Sequence, residues 1–137
     1  MQIRSRPGLV PGGLLLVLLL MAGCGDSANV IGPENQLEVA NETDSFQWQV
    51  SALSKVTQTL TYTWVNTGTT ANVNQSSSLG GGAADLRITD DDGAEVYASG
   101  LGINGTFQTV SGGSGSWTVT VVLADATGTL NFRLQKP

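Results

Sequence analysis

Val56-Thr57-Gln58-Thr59-Leu60-Thr61-Tyr62-Thr63-Trp64 places apolar side chains at 56, 60, 62 and 64, and threonine at every odd position between them. An extended backbone sends successive side chains to opposite faces, so this stretch separates into an apolar side and a hydroxyl side. A helix would scatter the same residues around its circumference. Threonine, tyrosine and tryptophan also suit the half-buried surface of a pleated sheet. The reading is therefore a strand with one face on a core and the other in water.

The same period of two extends in both directions. Phe46, Trp48 and Val50 alternate with Gln47 and Gln49. Leu86 and Ile88 alternate with Arg87 and Thr89. Trp117, Val119, Val121 and Leu123 share a side opposite Thr118 and Thr120, and Leu130, Phe132 and Leu134 alternate with Asn131, Arg133 and Gln135. Turn chemistry falls between the runs at Asn66-Thr67-Gly68, Asp92-Gly93, Asn104-Gly105, Gly112-Gly113 and Thr127-Gly128. A short strand fits Ala71 to Gln75, and Ser76 to Gly82 reads as a Ser/Gly loop. The expected fold is an all-β antiparallel sandwich, jelly-roll or immunoglobulin-like, of about eight or nine strands.

The first 23 residues have another character. Arg4 and Arg6 precede an apolar region from Leu9 to Met21, and Ala22, Gly23 and Cys24 follow. A basic start, a short apolar middle and a small-residue exit describe a secretory leader. The unbroken run Leu14 to Met21 is well short of the ~20 residues that span a bilayer. Leu20-Met21-Ala22-Gly23-Cys24 resembles a bacterial lipobox. That resemblance implies a lipid on the Cys24 sulfur, cleavage ahead of Cys24, and a signal helix at 1–23 that is removed. Gly25 stands where an inner-membrane-retained lipoprotein of some enterobacteria carries aspartate. The resemblance therefore leans toward the outer membrane of a Gram-negative envelope. Residues 24–36, rich in Gly, Asp, Ser, Asn and Pro, read as a flexible tether, and 37–137 as the sandwich domain.

Charge and cysteine count narrow the function classes. Beyond the leader, four Lys and Arg stand against eleven Asp and Glu, a formal charge of −7. That balance speaks against nucleic acid, whose binding needs clustered cations to displace counterions. Cys24 is the only cysteine, so the expected domain has no internal disulfide and must be held by its core. There is no histidine. A Ser-His-Asp triad and a histidine-ligated metal are thus excluded.

Two further segments carry a resemblance. Ala83-Ala84-Asp85-Leu86-Arg87-Ile88-Thr89-Asp90-Asp91-Asp92-Gly93 is similar to the central strand and turn of bacterial pre-peptidase C-terminal domains. Gly115-Ser116-Trp117-Thr118-Val119-Thr120-Val121, with Gly128 to Leu134, is similar to their last two strands. The resemblance implies a small β-sandwich acting as a non-catalytic accessory module.

The candidate site residues are few. Asp90, Asp91 and Asp92, with Asp85 and Glu95 nearby, offer hard oxygen ligands of the kind Ca²⁺ takes. Their spacing does not fit an EF-hand loop, and Asp and Gly are also preferred turn residues, so a solvated hairpin turn is the favoured reading. Trp48, Trp64 and Trp117 are the residue type that stacks on sugars, but each shares parity with the aliphatic residues of its strand, which assigns them to the core. Tyr97 has the opposite parity to Val96 and is expected on the surface.

Taken together, the expected function is that of a non-catalytic, lipid-anchored protein of the cell envelope. It would present a β-sandwich interaction module to an envelope protein or polymer. A Ca²⁺- or carbohydrate-binding module using turn 90–92 and adjacent loops is the alternative. A small hydrolase relying on carboxylates alone is the remote one.

Overall fold

The computed structural model describes residues 29–137. The leader, Cys24 and the first part of the expected tether lie outside the described residues. Seven strands are present among them: β1 (Glu38–Glu42), β2 (Ser45–Asn66), β3 (Asn72–Gln75), β4 (Ser78–Thr89), β5 (Glu95–Gly100), β6 (Gly105–Gln108) and β7 (Gly115–Gln135). Among the described residues a 3-10 turn, Pro33–Asn35, precedes them. Every strand pairing is antiparallel. The all-β, sandwich-like expectation is met.

The frame is a ribbon of two long strands folded over on itself. β2 and β7 pair from Ser45↔Gln135 through to Asn66↔Gly115, with register shifts between Val50 and Gln58. At those shifts the ribbon bends. Ala52, Lys55 and Asp125 adopt left-handed backbone conformations there, with φ of 53°, 53° and 51°. Extra residues at such bulges kink a strand and increase its twist without ending it. They also exchange which parity points inward. Phe46, Trp48 and Val50 are buried on the near side of the bend, then Leu53, then Val56 and Trp64. On β7 the inward set passes from Trp117, Val119, Val121 and Leu123 to Ala126, Leu130, Phe132 and Leu134.

A bulge leaves backbone amides without ladder partners, and two threonine hydroxyls accept from the ones here. The Lys55 amide donates to Thr127 Oγ1 at 3.0 Å, and the Asp125 amide donates to Thr57 Oγ1 at 3.0 Å. Thr127-Gly128, expected as a turn between two strands, is thus part of one bent strand. The strand count falls from eight or nine to seven because β2 and β7 each run on through the bend. Ser76 to Gly82, expected as a loop, mostly joins β4, because the outer edge of β7 needs a partner there: Ser78 pairs with Thr129 and Leu79 with Gly128.

Folding the ribbon brings its two halves face to face. One layer holds β5, β4, the first half of β7 and the second half of β2. The other holds β1, the first half of β2, the second half of β7, β3 and β6. Aromatic rings fill the space between. Trp48 stacks on Phe132 with centroids 5.4 Å apart, and Trp64 meets Trp117 edge-on at 5.9 Å. Trp48 Nε1 donates to the Tyr62 hydroxyl at 2.9 Å, joining the two halves of β2 across the core. The three tryptophans have no solvent exposure, as their parity led us to expect.

The ribbon's free ends meet opposite the bend. The Asp44 amide donates to the Val65 carbonyl, and the Lys136 amide to the Asp44 carbonyl. Trp64 Nε1 donates to the Glu42 carbonyl at 2.9 Å, and Asn41 Nδ2 to the Thr63 carbonyl at 2.8 Å. The domain therefore has two distinct ends, a bend and a closure.

Candidate functional site

The acidic turn sits at the closure end, in the connection from β4 to β5. Asp90 is nearly enclosed, at 6 % exposure. Its Oδ1 accepts the amides of Asp92 at 3.0 Å and Ala94 at 2.8 Å, and its Oδ2 accepts the Gly113 amide at 2.8 Å. The first two bonds build the turn. The third ties the turn to the loop that leads into β7. Amide donation, from Gly113 above all and then from Ala94, holds the Asp90 carboxyl below the ordinary aspartate value, with burial working the other way. Asp91 lies outside this cage. It is exposed and accepts the Ser116 amide at 3.1 Å. Asp92 is exposed as well.

The three aspartates therefore do not converge. Both Asp90 oxygens are already spent on backbone amides, and among the described residues no group of three or more Asp, Glu, Cys or His is placed to hold a metal ion. The sequence offered Asp90 as a ligand, and the structure employs it as a brace. Adding Ca²⁺ or EDTA is accordingly expected to leave the melting temperature unchanged. A rise with Ca²⁺ that Asp92→Ala abolishes would contradict this.

Asp90 also makes stability depend on pH. Its carboxyl has a folded pKa below its unfolded value of about 3.8. The charged form is then favoured by folding, so the contribution is complete above pH ~4 and disappears as pH falls through the lower, folded value. Asp44 behaves alike, held down first by the Thr67 amide and aided by Lys136. Asp90→Asn is expected to be less stable at pH 7 and to have a flatter acid limb. Urea midpoints between pH 2 and 7 measure both. An acid limb identical to that of the unaltered protein would remove Asp90 from this role.

Gln75, another buried polar side chain, is likewise engaged. It donates to the Gly100 and Ile103 carbonyls and accepts the Tyr97 hydroxyl at 2.7 Å. Tyr97 was expected on the surface. It is half-buried against Phe107, at a centroid distance of 6.5 Å, because its hydroxyl reaches Gln75. Burial raises its pKa. Nothing in the local alternation pointed to Gln75, since its partners are 22 to 28 residues away.

The bend end carries the other notable feature. Residues 29–36, read as part of a tether, lie against the bend. Asn29 Nδ2 donates to the Ser54 carbonyl, and the Asn29 carbonyl accepts the Thr57 amide, each at 3.0 Å. The Ile31 amide donates to Gln58 Oε1 at 2.9 Å. Asn35 is buried, and its Nδ2 donates to the Ser51 and Ala52 carbonyls, both at 2.9 Å. Its Oδ1 accepts the Gly32 amide at 2.9 Å. A hollow of about 360 Å³ is left between segment and bend, lined by Asn29, Val30, Glu34, Asn35, Ala52, Ser54 and Val56. Among the described residues that line it, Glu34 is the one carboxylate.

No protein-family model and no curated protein matches this chain. What can be said of its chemistry therefore comes from its own residues. Among those described, no helix is long and apolar enough to cross a membrane.

Proposed function

We propose that this protein is a lipid-anchored component of a bacterial cell envelope whose β-sandwich serves as a non-catalytic interaction module. The observation that carries the reading is Leu20-Met21-Ala22-Gly23-Cys24 at the end of the apolar run Leu14 to Met21. A thiol at that position is the nucleophile that takes a diacylglyceryl group. Two or more acyl chains then anchor stably, at ~0.8 kcal/mol per buried methylene. The resemblance of 83–93, 115–121 and 128–134 to pre-peptidase C-terminal domains supports the accessory role. The charge of the exported part suits a protein or polymer partner better than nucleic acid.

The test is chemical. Intact mass of the membrane-extracted protein is expected to match a chain beginning at Cys24 plus its acyl groups, and labelled palmitate is expected to be incorporated. Cys24→Ser should lose the label and leave the membrane fraction. A free thiol at Cys24, or retention of residues 1–23, would remove the anchor from the reading.

A further inference from the structure

We infer that the docked segment Asn29–Asn35 fixes how the domain stands on the bilayer: the bend faces the lipid, and the closure end, with Asp91 and Asp92, faces away. The inference rests on Cys24 carrying the anchor. It concerns which surface meets the membrane.

The argument is one of reach. From Cys24 to Asn29 there are five residues, which span at most ~18 Å when fully extended. Asn29 itself is held on the bend by Ser54 and Thr57. The closure end lies beyond the far end of β2, and Thr57 to Asn66 along that strand covers roughly 30 Å at ~3.3 Å per residue. For the domain to stand upright on its closure end, Asn29 would have to lie farther from the bilayer than its link allows. A free tether from 25 to 36 would reach ~40 Å and permit either orientation. The bonds of Asn29, Ile31 and Asn35 to the bend make the difference.

The docking is specific to this segment. Asn35 is buried and uses its Nδ2 and Oδ1 on three backbone partners, Ser51, Ala52 and Gly32. The Asn35 carbonyl also accepts the Ser51 hydroxyl at 3.2 Å, and Ile31 packs on the core. The bend thus has a seat shaped for this piece of chain, and the anchored cysteine precedes it by a short link.

The experiment uses the full lipidated protein in phosphatidylethanolamine/phosphatidylglycerol vesicles. Ala124→Cys, exposed at the bend and outside the seat of the docked segment, and Asp92→Cys, each labelled with a donor dye, are compared for energy transfer to an acceptor on the lipid headgroups. Transfer from position 124 is expected to be several-fold more efficient than from 92. Asn29→Ala with Asn35→Ala should bring the two values together while the protein still floats with the vesicles. Equal transfer from both positions in otherwise unaltered, floating protein, or stronger transfer from 92, would overturn the inference. Failure to float would overturn the anchoring itself, a separately visible result.

Discussion

Gly82→Asn is expected to lower the melting temperature by on the order of 15 °C, while Gly93→Asn shifts it by only a few degrees. Both glycines have positive φ, +70° and +86°, and asparagine is among the residues that tolerate that region best. Backbone preference therefore treats the two alike. Space does not. A Cβ at Gly93 would meet nothing within 4 Å, whereas one at Gly82 would lie 2.0 Å from the Asp125 carbonyl oxygen and 2.6 Å from that of Ala124. Those atoms belong to the β7 bulge, where the chain is already bent and cannot retreat without pulling Thr57 from the Asp125 amide. Overpacking of this kind costs ~1–3 kcal/mol and sometimes more. A domain of this size loses several degrees per kcal/mol. Circular dichroism melts of the two variants check the contrast. Equal, small shifts would mean that β4 and β7 do not approach so closely at the bend.

Trp64→Ala and Trp117→Ala are each expected to cost ~3–5 kcal/mol. Against a total stability of ~5–15 kcal/mol, either change removes much of the margin. Each ring is fully enclosed, and each indole N–H is committed, Trp64 to the Glu42 carbonyl and Trp117 to the Gly113 carbonyl. The rings also meet each other edge-on at 5.9 Å. The double variant should therefore fall short of the sum of the singles by about 0.5–1.5 kcal/mol, the worth of such an aromatic pair. Urea unfolding followed by far-ultraviolet circular dichroism supplies all three values. Losses below ~1 kcal/mol, with a fold otherwise intact, would return these rings to the surface and reopen a stacking role.

The strands were legible because their information is local. Wherever one face is buried and the other wet, the inward residues repeat every second position, as in 46–50, 86–88, 117–123 and 130–134. What escaped was the continuity of these runs. Ala52 and Lys55 carry no turn signal, yet both take a left-handed conformation to bend β2. Thr127-Gly128 does look like a turn, but its threonine hydroxyl satisfies the Lys55 amide 72 residues away. The part played by Asp90 was hidden for a related reason. Asp90-Asp91-Asp92 is a turn signal and a ligand signal at once. The choice was made by Gly113, a residue on another loop that claims an Asp90 oxygen.

By itself, the order of residues determined the all-β class, the inward side of the principal strands and the burial of all three tryptophans. These depend on alternation and on the free energy of removing apolar surface from water. The tertiary structure alone decided that two strands fold over to make both layers, that Asp90 braces loops, and that Asn29–Asn35 is seated on the bend. Each of those outcomes rests on a backbone amide or carbonyl meeting a side chain far along the chain. Backbone groups are the same in every residue, so no local pattern of letters announces which of them will be left over for a distant partner.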